Sequence, residues 1–307
     1  MAALVVVALV PALIGGRRGF GLGTTAAIGV ILALGYQVTY GFSGQLSVAH
    51  APLQGLGAYA VADLTTSAHW SFWAALPVAV LVAAVVGAVV GLPGLRVRGD
   101  VLALVTLGAG EILQNLYLNT ERFTKGSDGI AAIPPVSVLG RAVDDRGLYV
   151  VALGLGLLTL VAVRALRASP LGRSWLALRD DEVAAEACGI RVGRLRLLAF
   201  SVGAGIAGVA GALYAVQDQF VSSVSFGLGQ TVIVILVVLV AGEARIGRTV
   251  AAAVGITVLV DRLTPYADVS TAVTGALILA VVGFRLGFVG TGVDRLRAGI
   301  RALAVPR

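Results

Sequence analysis

Polar side chains with chemical capacity occur in two apolar stretches of this chain. GFSGQLSVAHAPLQGLGAYA (41–60) carries Ser43, Gln45, Ser47, His50 and Gln54 among four glycines and a proline. Residues 101–118 hold Thr106, Glu111, Gln114 and Asn115. Hydroxyl, amide and imidazole groups on a broken, small-residue helix can hydrogen-bond a passing solute, and such breaks often mark the substrate path of a transporter. The same composition also serves close helix packing, with polar groups bonded across the contact. Glu111 is an ionisable group inside an apolar run. It costs about 2.5–3.5 kcal/mol on insertion scales and is a functional candidate by default. It lies past mid-span, so it either faces the path or reaches the far interface. Ser43, Gln45, Ser47, His50, Thr106 and Glu111 are the candidate path residues, as polar lining. For His50, the reading as a satisfied interior histidine competes.

No reaction centre accompanies them. The chain has two histidines, His50 and His69, and one cysteine, Cys188. A phosphate-binding GxxxxGK[ST], a zinc-binding HExxH and a GxSxG elbow are all missing from the sequence. Nothing here hydrolyses ATP, and no cofactor or metal is expected in this chain. Any energy for transport comes from a partner or an ion gradient.

The elements that position these residues are membrane spans. The 307-residue chain is 58% hydrophobic and 13% charged, with mean hydropathy +0.96. Soluble domains sit near 45–50% apolar and about 25% charged. The expected fold is therefore all-α, one polytopic helical bundle over 1–307. A spanning helix needs about 20 apolar residues. The candidates are 2–16, 20–40, 48–66, 72–95, 101–118, 148–166, 198–217, 226–242, 248–262 and 271–289, about ten spans (8–10). With 167–197 in the cytoplasm, 16 of the 23 basic residues fall inside, which supports that orientation and two cytoplasmic termini. Loop 119–147 is then extracytoplasmic. Arg17 and Arg18 are the exception: if they lie inside, 41–66 is a re-entrant element. The net charge of +7 points to topology and anionic membrane lipid, not nucleic acid.

Between two of these spans the chain turns charged: SPLGRSWLALRDDEVAAEACGIRVGRLRLLAF (169–200). Pro170 and Gly172 stop the preceding span. The pattern predicts a short helix, capped by Ser174 and ended by Gly189 as a left-handed stop. Leu176, Val183, Ala187 and Ile190 would form its apolar face, and Arg179, Glu182 and Glu186 its charged face. Such a helix either packs on its own bundle or docks into a partner. Downstream, Gly203, Ala207 and Gly211, with Ala204 and Gly208, repeat small residues at the spacing of tight helix packing.

Four stretches resemble one family. GQLSVAHAPLQGLGAYA (44–60) is similar to the SLGHAAFFGIGAYTAA-type element of branched-chain amino acid ABC permeases. VLALVTLGAGEILQNL (101–116) and TKGSDGI (124–130) resemble the TLAFGEI and TGGSDGL signatures of the LivM branch. LGRSWLALRDDEVAAEACGIRVGRLRLLAFSVGAGIAGVAGALYA (171–215) resembles GRALRAIRDNEIAAEALGI…YKLLAF…AGLAGALYA. The likeness covers residues 20–290 in order.

The resemblance implies a type II ABC importer-like permease fold in the bacterial inner membrane. It implies a permease subunit, not an enzyme, moving branched-chain or other hydrophobic amino acids. The implied partners are a LivH-like permease, two cytoplasmic ATPase subunits that hold ATP and magnesium, and an extracytoplasmic substrate-binding protein. Segment 167–197 becomes the ATPase-coupling loop, with Arg179, Asp180, Glu182, Ala185, Glu186 and Gly189 matching the family motif. The chain departs from the pattern at Glu243, where a second glycine is usual, and at Val48, Ala49 and Gln54. Gln45 and Gln54 make the first element more polar than usual, which keeps urea or short amides open as cargo. A gradient-driven secondary transporter using Glu111 or His50, or a scaffold without a path, are the readings from other classes.

Overall fold

A backbone inside a bilayer must satisfy its own polar groups, so long apolar runs fold as helices. The computed structural model describes residues 16–263, apart from Arg98, residues 139–140 and Glu243, together with Gly275. The chain divides into two compact units, Met1–Val258 and Leu259–Arg307. The helical bundle is the first of them.

Helix α1, Gly16–Tyr36, runs on through a π-helical turn, Gln37–Phe42. An irregular stretch, 43–49, leads to α2, His50–Thr66. Then come α3, Phe72–Gly91, with a 3-10 turn at Leu92–Leu95, and α4, Asp100–Asn119. A short α5, Glu121–Thr124, precedes α6, Asp145–Ala168. Two short helices follow, α7 (Pro170–Asp180) and α8 (Glu182–Ala187). The last described helices are α9 (Val192–Asp218), α10 (Leu228–Ala241) and α11 (Ile246–Leu263).

Among the described residues, six segments are long and apolar enough to cross a membrane: Arg18–Phe42, Phe72–Leu95, Val101–Asn119, Asp145–Ala168, Val192–Asp218 and Ser223–Ala241. They match six of the expected spans. The expected span 48–66 is the 17-residue α2, and 248–262 falls in α11. Candidate spans 2–16 and 271–289 lie outside the described residues.

Helix α9 is the central strut, packed on α3, α2 and α1. Its small residues let backbones touch. A Cβ on Gly57 would fall on the Gly208 backbone, and one on Gly211 would fall on the Gln54 carbonyl. Where the end of α1 crosses α9, Thr39 Oγ1 donates to the Ala199 carbonyl at 3.3 Å. Close approach of this kind replaces the hydrophobic drive that lipid does not supply.

The bundle has two distinct ends. At one, the α7–α8 segment meets the end of α1, and Arg196 of α9 meets the 3-10 turn after α3. At the other, segment 119–144 folds as an ordered cap. Strand β1 (Ile130–Ala131) pairs antiparallel with β4 (Phe220–Val221), in register Ile130 with Val221. Strands β2 (Ser137–Val138) and β3 (Arg141–Ala142) form a hairpin. Ile130, Ile133 and Val136 are buried beneath it. The all-α expectation thus gains two small β elements, both outside the spanning helices. Asp144 caps α6 by accepting from Gly147 N–H at 2.9 Å.

Residues 43–66 join these two ends. Gln45 is held beside Arg196 at the α7–α8 end, and α2 contacts α5, β1 and β4 at the cap end. The segment is a broken connection of irregular chain plus helix.

The α2–α9 crossing gives a direct test. Gly211→Ala should destabilise the detergent-solubilised chain by about 1–3 kcal/mol through overpacking. Gly255→Ala, with no heavy atom near its would-be Cβ, should leave thermal unfolding within about 0.5 kcal/mol of the parent.

Candidate functional site

The non-helical stretch 43–49 needs partners for its backbone, and the candidate path residues supply them. Thr106 Oγ1 accepts from Val48 N–H at 3.0 Å and donates to the Ala103 carbonyl at 2.9 Å. Ser43 Oγ donates to the Thr39 carbonyl at 2.6 Å and accepts from Gln45 Nε2 at 2.8 Å. Gln45 Nε2 also reaches the Arg196 carbonyl at 3.2 Å. Ser47 Oγ accepts from Ala49 N–H at 3.4 Å. The structure therefore brings Ser43, Gln45, Ser47 and Thr106 together around one irregular segment, all buried. Buried irregular backbone at membrane depth is tolerated where protein surrounds it in this way.

His50 stands apart from that group. It starts α2, fully buried, with its ring edge-on to Tyr36 at 5.2 Å between centroids. Gln54 is buried at the α2–α9 crossing. Gln45 Oε1, His50 Nε2 and Gln54 Oε1 have no hydrogen-bond partner among the described residues.

Glu111 lies elsewhere again, on the open face of α4. Leu104, Gly108, Glu111, Ile112 and Asn115 are all exposed there, Leu104 at 69% and Ile112 at 70%. Their spacing of three, four and seven makes them one stripe along the helix. Beside it, a narrow cleft runs between α4, the start of α2 and α10. Val48, Pro52, Leu107 and Leu228 give it an apolar wall, and Glu111, Gln114 and Thr231 give it a polar edge. Gln114 Nε2 is fixed by the Ser223 carbonyl at 3.4 Å, and Thr231 Oγ1 is buried without a hydrogen-bond partner among the described residues.

The charged segment differs from its expected form. It is two helices, because Asp181 is extended (φ −155°, ψ 109°) and its carboxylate caps α8 through Ala184 N–H at 3.0 Å. The upstream cap is Ser169, accepting from Gly172 N–H at 3.2 Å, with Pro170 in the first turn. Ser174, expected as the cap, instead donates back to the Pro170 carbonyl at 3.0 Å. The break at Asp181 resets the helical phase, so the expected apolar face fails. Val183 is 73% exposed and Ala187 is exposed, while Gly172, Trp175, Leu178 and Ala185 are buried. Gly189 does stop α8. At φ +81° it donates to the Glu186 carbonyl while Ile190 N–H returns to Ala185, the paired bonds of a Schellman turn.

Three side-chain contacts latch the segment to the bundle, and a fourth ties their anchor Arg196 to the turn after α3. Trp175 Nε1 donates to the Leu195 carbonyl at 2.8 Å, and Arg179 donates to the Gly41 carbonyl at 2.9 Å. Glu182 is ion-paired with Arg196, whose other amino group donates to the Gly94 carbonyl at 3.1 Å. Arg179, Glu182 and Ala185 thus face inward. Asp180, Val183, Glu186 and Cys188 face outward.

Two comparisons bear on this architecture. Residues 20–282 match the family model described as branched-chain amino acid transport system / permease component. The chain belongs to this permease family. It is 34% identical to the "High-affinity branched-chain amino acid transport system permease protein LivM" of Salmonella typhimurium (strain LT2), over 92% of this chain and 72% of that protein. The protein of the same name from Escherichia coli (strain K12) is 34% identical over 93% of this chain and 73% of its own length. The "Autoinducer 2 import system permease protein LsrC" of Enterobacter sp. (strain 638) is 30% identical over 80% of this chain and 69% of that protein. No solved structure matches. The permease is therefore an inner-membrane transport component and not an enzyme. A permease of this kind works with ATPase and binding-protein partners.

Two residues of this permease's site escaped the sequence reading. Arg196 looked like one more loop arginine, although its place inside RLRLLAF, within the apolar run, was a signal. Thr231 was hidden in LGQTVIVILVVLVA, where its only mark is being a lone hydroxyl.

The Glu182–Arg196 pair is mostly buried, with side chains 17% and 11% exposed. Glu182→Leu should destabilise the permease by about 3–5 kcal/mol, because it strands a buried guanidinium. The double variant Glu182→Leu/Arg196→Met should recover most of that loss. A double-mutant cycle on thermal unfolding measures both; additive losses would show that the pair is not coupled.

Proposed function

We propose that this permease moves branched-chain amino acids across the inner membrane by ATP-driven alternating access. In this reading it pairs with a LivH-like second permease and two cytoplasmic ATPase subunits, and receives cargo from an extracytoplasmic binding protein. Ten spans and cytoplasmic termini complete the topology, with the α7–α8 segment on the cytoplasmic side.

The open face of α4 carries this reading. A carboxylate exposed within an apolar span costs about 2.5–3.5 kcal/mol if it meets lipid. Glu111 and Asn115 sit on such a face, so a second subunit or a water-filled path must cover it. The adjoining cleft, about 10 Å3 within this chain, gives that face an apolar wall and a polar edge for a covering subunit to complete. Gln45 and Gln54, whose polarity keeps urea or short amides open as cargo, are buried in helix contacts away from that cleft.

The coupling segment supports the same reading. Its tip presents the exposed Val183, with Asp180 and Glu186 exposed beside it, while its inner side is latched to α1 and α9, and α9 in turn to the turn after α3 through Arg196. A partner that grips the tip displaces three helices together.

In the reconstituted assembly, Val183→Asp should lower labelled-leucine uptake and substrate-stimulated ATP hydrolysis by on the order of 10-fold, about 1.4 kcal/mol of coupling, without changing thermal unfolding. Normal stimulated turnover in the variant would sink the coupling assignment. Uptake by the purified chain alone, abolished by a protonophore, would instead establish a secondary transporter. Glu111→Leu should impair leucine uptake while leaving basal ATP hydrolysis intact.

A further inference from the structure

At the α7–α8 end of the bundle, away from the α4 cleft, lies a second cavity of about 720 Å3. It opens between the α6–α7 corner and the turn that joins α10 to α11. Arg164 and Arg167 come from α6, and Arg245 and Arg248 from the turn and the start of α11. All four are exposed, and no described lining residue is acidic. Glu243, outside the described residues, adds at most one negative charge to this stretch against four positive ones. Four guanidiniums around one cavity repel one another, so an anion that bridges them removes a standing penalty.

The wall that holds them is fixed. Gly242 and Ala244 both take left-handed backbone, at φ +81° and +54°. With its amide oriented to satisfy both ends, Gln37 Oε1 accepts from Ala244 N–H at 2.7 Å and Arg245 N–H at 3.1 Å. The turn is therefore pinned to the π-helical end of α1, which sets where Arg245 and Arg248 emerge. Opposite, Arg173 donates to the Ala168 carbonyl at 2.8 Å, closing the end of α6.

What lies next to the cavity identifies the anion. Arg164 continues a face of α6 that is apolar and exposed: Val150, Leu157, Leu158 and Val161. Eleven residues at helical rise make about 16 Å of apolar surface running into the membrane from the arginines. A free anion uses the guanidiniums and leaves that stripe unused. An acidic protein surface would have to reach below the water boundary to use it. A phosphate head group with acyl chains uses both at once.

We infer that the Arg164–Arg167–Arg245–Arg248 cavity is a binding site for the head group of an anionic phospholipid, its acyl chains lying on the Val150–Val161 face of α6. The site is separate from the substrate path and does not depend on the cargo. It joins α6 and α7 to the α10–α11 turn through one lipid molecule. Long arginine side chains favour this depth, since they keep their charge at the interface while their stems cover apolar surface.

The test uses the full chain, with its partner subunits, in nanodiscs of phosphatidylcholine doped with phosphatidylglycerol or cardiolipin. Native mass spectrometry after detergent extraction reads the lipid retained. The parent should hold anionic lipid in preference to phosphatidylcholine. Arg164→Gln/Arg167→Gln/Arg248→Gln should lose that preference by on the order of 100-fold, at about one kcal/mol per arginine. Millimolar inorganic phosphate should not displace the lipid. Equal retention by parent and variant would overturn the site. Displacement by phosphate would make it a free-anion site. Unchanged lipid with loss of a co-purifying ATPase subunit would make it a protein-docking surface. If the triple variant fails to assemble, Arg248→Gln against Arg248→Lys decides: retention must fall for glutamine and largely survive for lysine.

Discussion

One guanidinium holds the working end of this permease together. Arg196 emerges from the first turns of α9 and reaches the Gly94 carbonyl at the end of α3. Its second amino group pairs with Glu182 of α8, and its own carbonyl takes the Gln45 amide from the irregular stretch after α1. Four parts of the chain, distant in sequence, thus meet at a single residue that is only 9% exposed. A charge at that depth is stable only while each contact is made. The α7–α8 segment therefore cannot leave the bundle without uncovering it, and that dependence makes the segment a rigid attachment.

The same economy of contact governs the interior. Lipid offers no hydrophobic drive between helices, so α9 gathers α1, α2 and α3 by backbone approach through small residues. Close approach leaves little room for side chains. The irregular backbone at 43–49 is satisfied by short hydroxyls, Ser43, Ser47 and Thr106, and by the Gln45 amide. These groups are four of the candidate path residues, and within this chain their hydrogen bonds hold a non-helical segment among helices.

Apolar run length made six spanning segments legible, and the glycine spacing of 203–211 made the α9 contacts legible, since both are local properties of the sequence. Gly189 was readable for the same reason, as a left-handed stop after a short helix. The apolar face of the coupling segment was not. Its register was carried across Asp181, and a single extended residue there rotates everything downstream, leaving Val183 outside and Ala185 inside. Arg196 and Thr231 were hidden because their roles come from partners more than ten residues away in the chain. The ordered cap was read as an irregular loop. Two-residue strands such as β1 and β4 carry no periodicity, and their pairing joins residues on either side of α6 to α9.

That pairing has a mechanical consequence. Helix α9 is 27 residues long, about 40 Å of continuous rod. At one end it is clamped by Trp175, Glu182 and Gly94, and at the other it runs through Gln219 directly into β4, stitched to β1 of the cap. A rod fixed at both tips cannot absorb a push as local bending. A displacement delivered at the α7–α8 end must emerge at the opposite end of the bundle as movement of the cap.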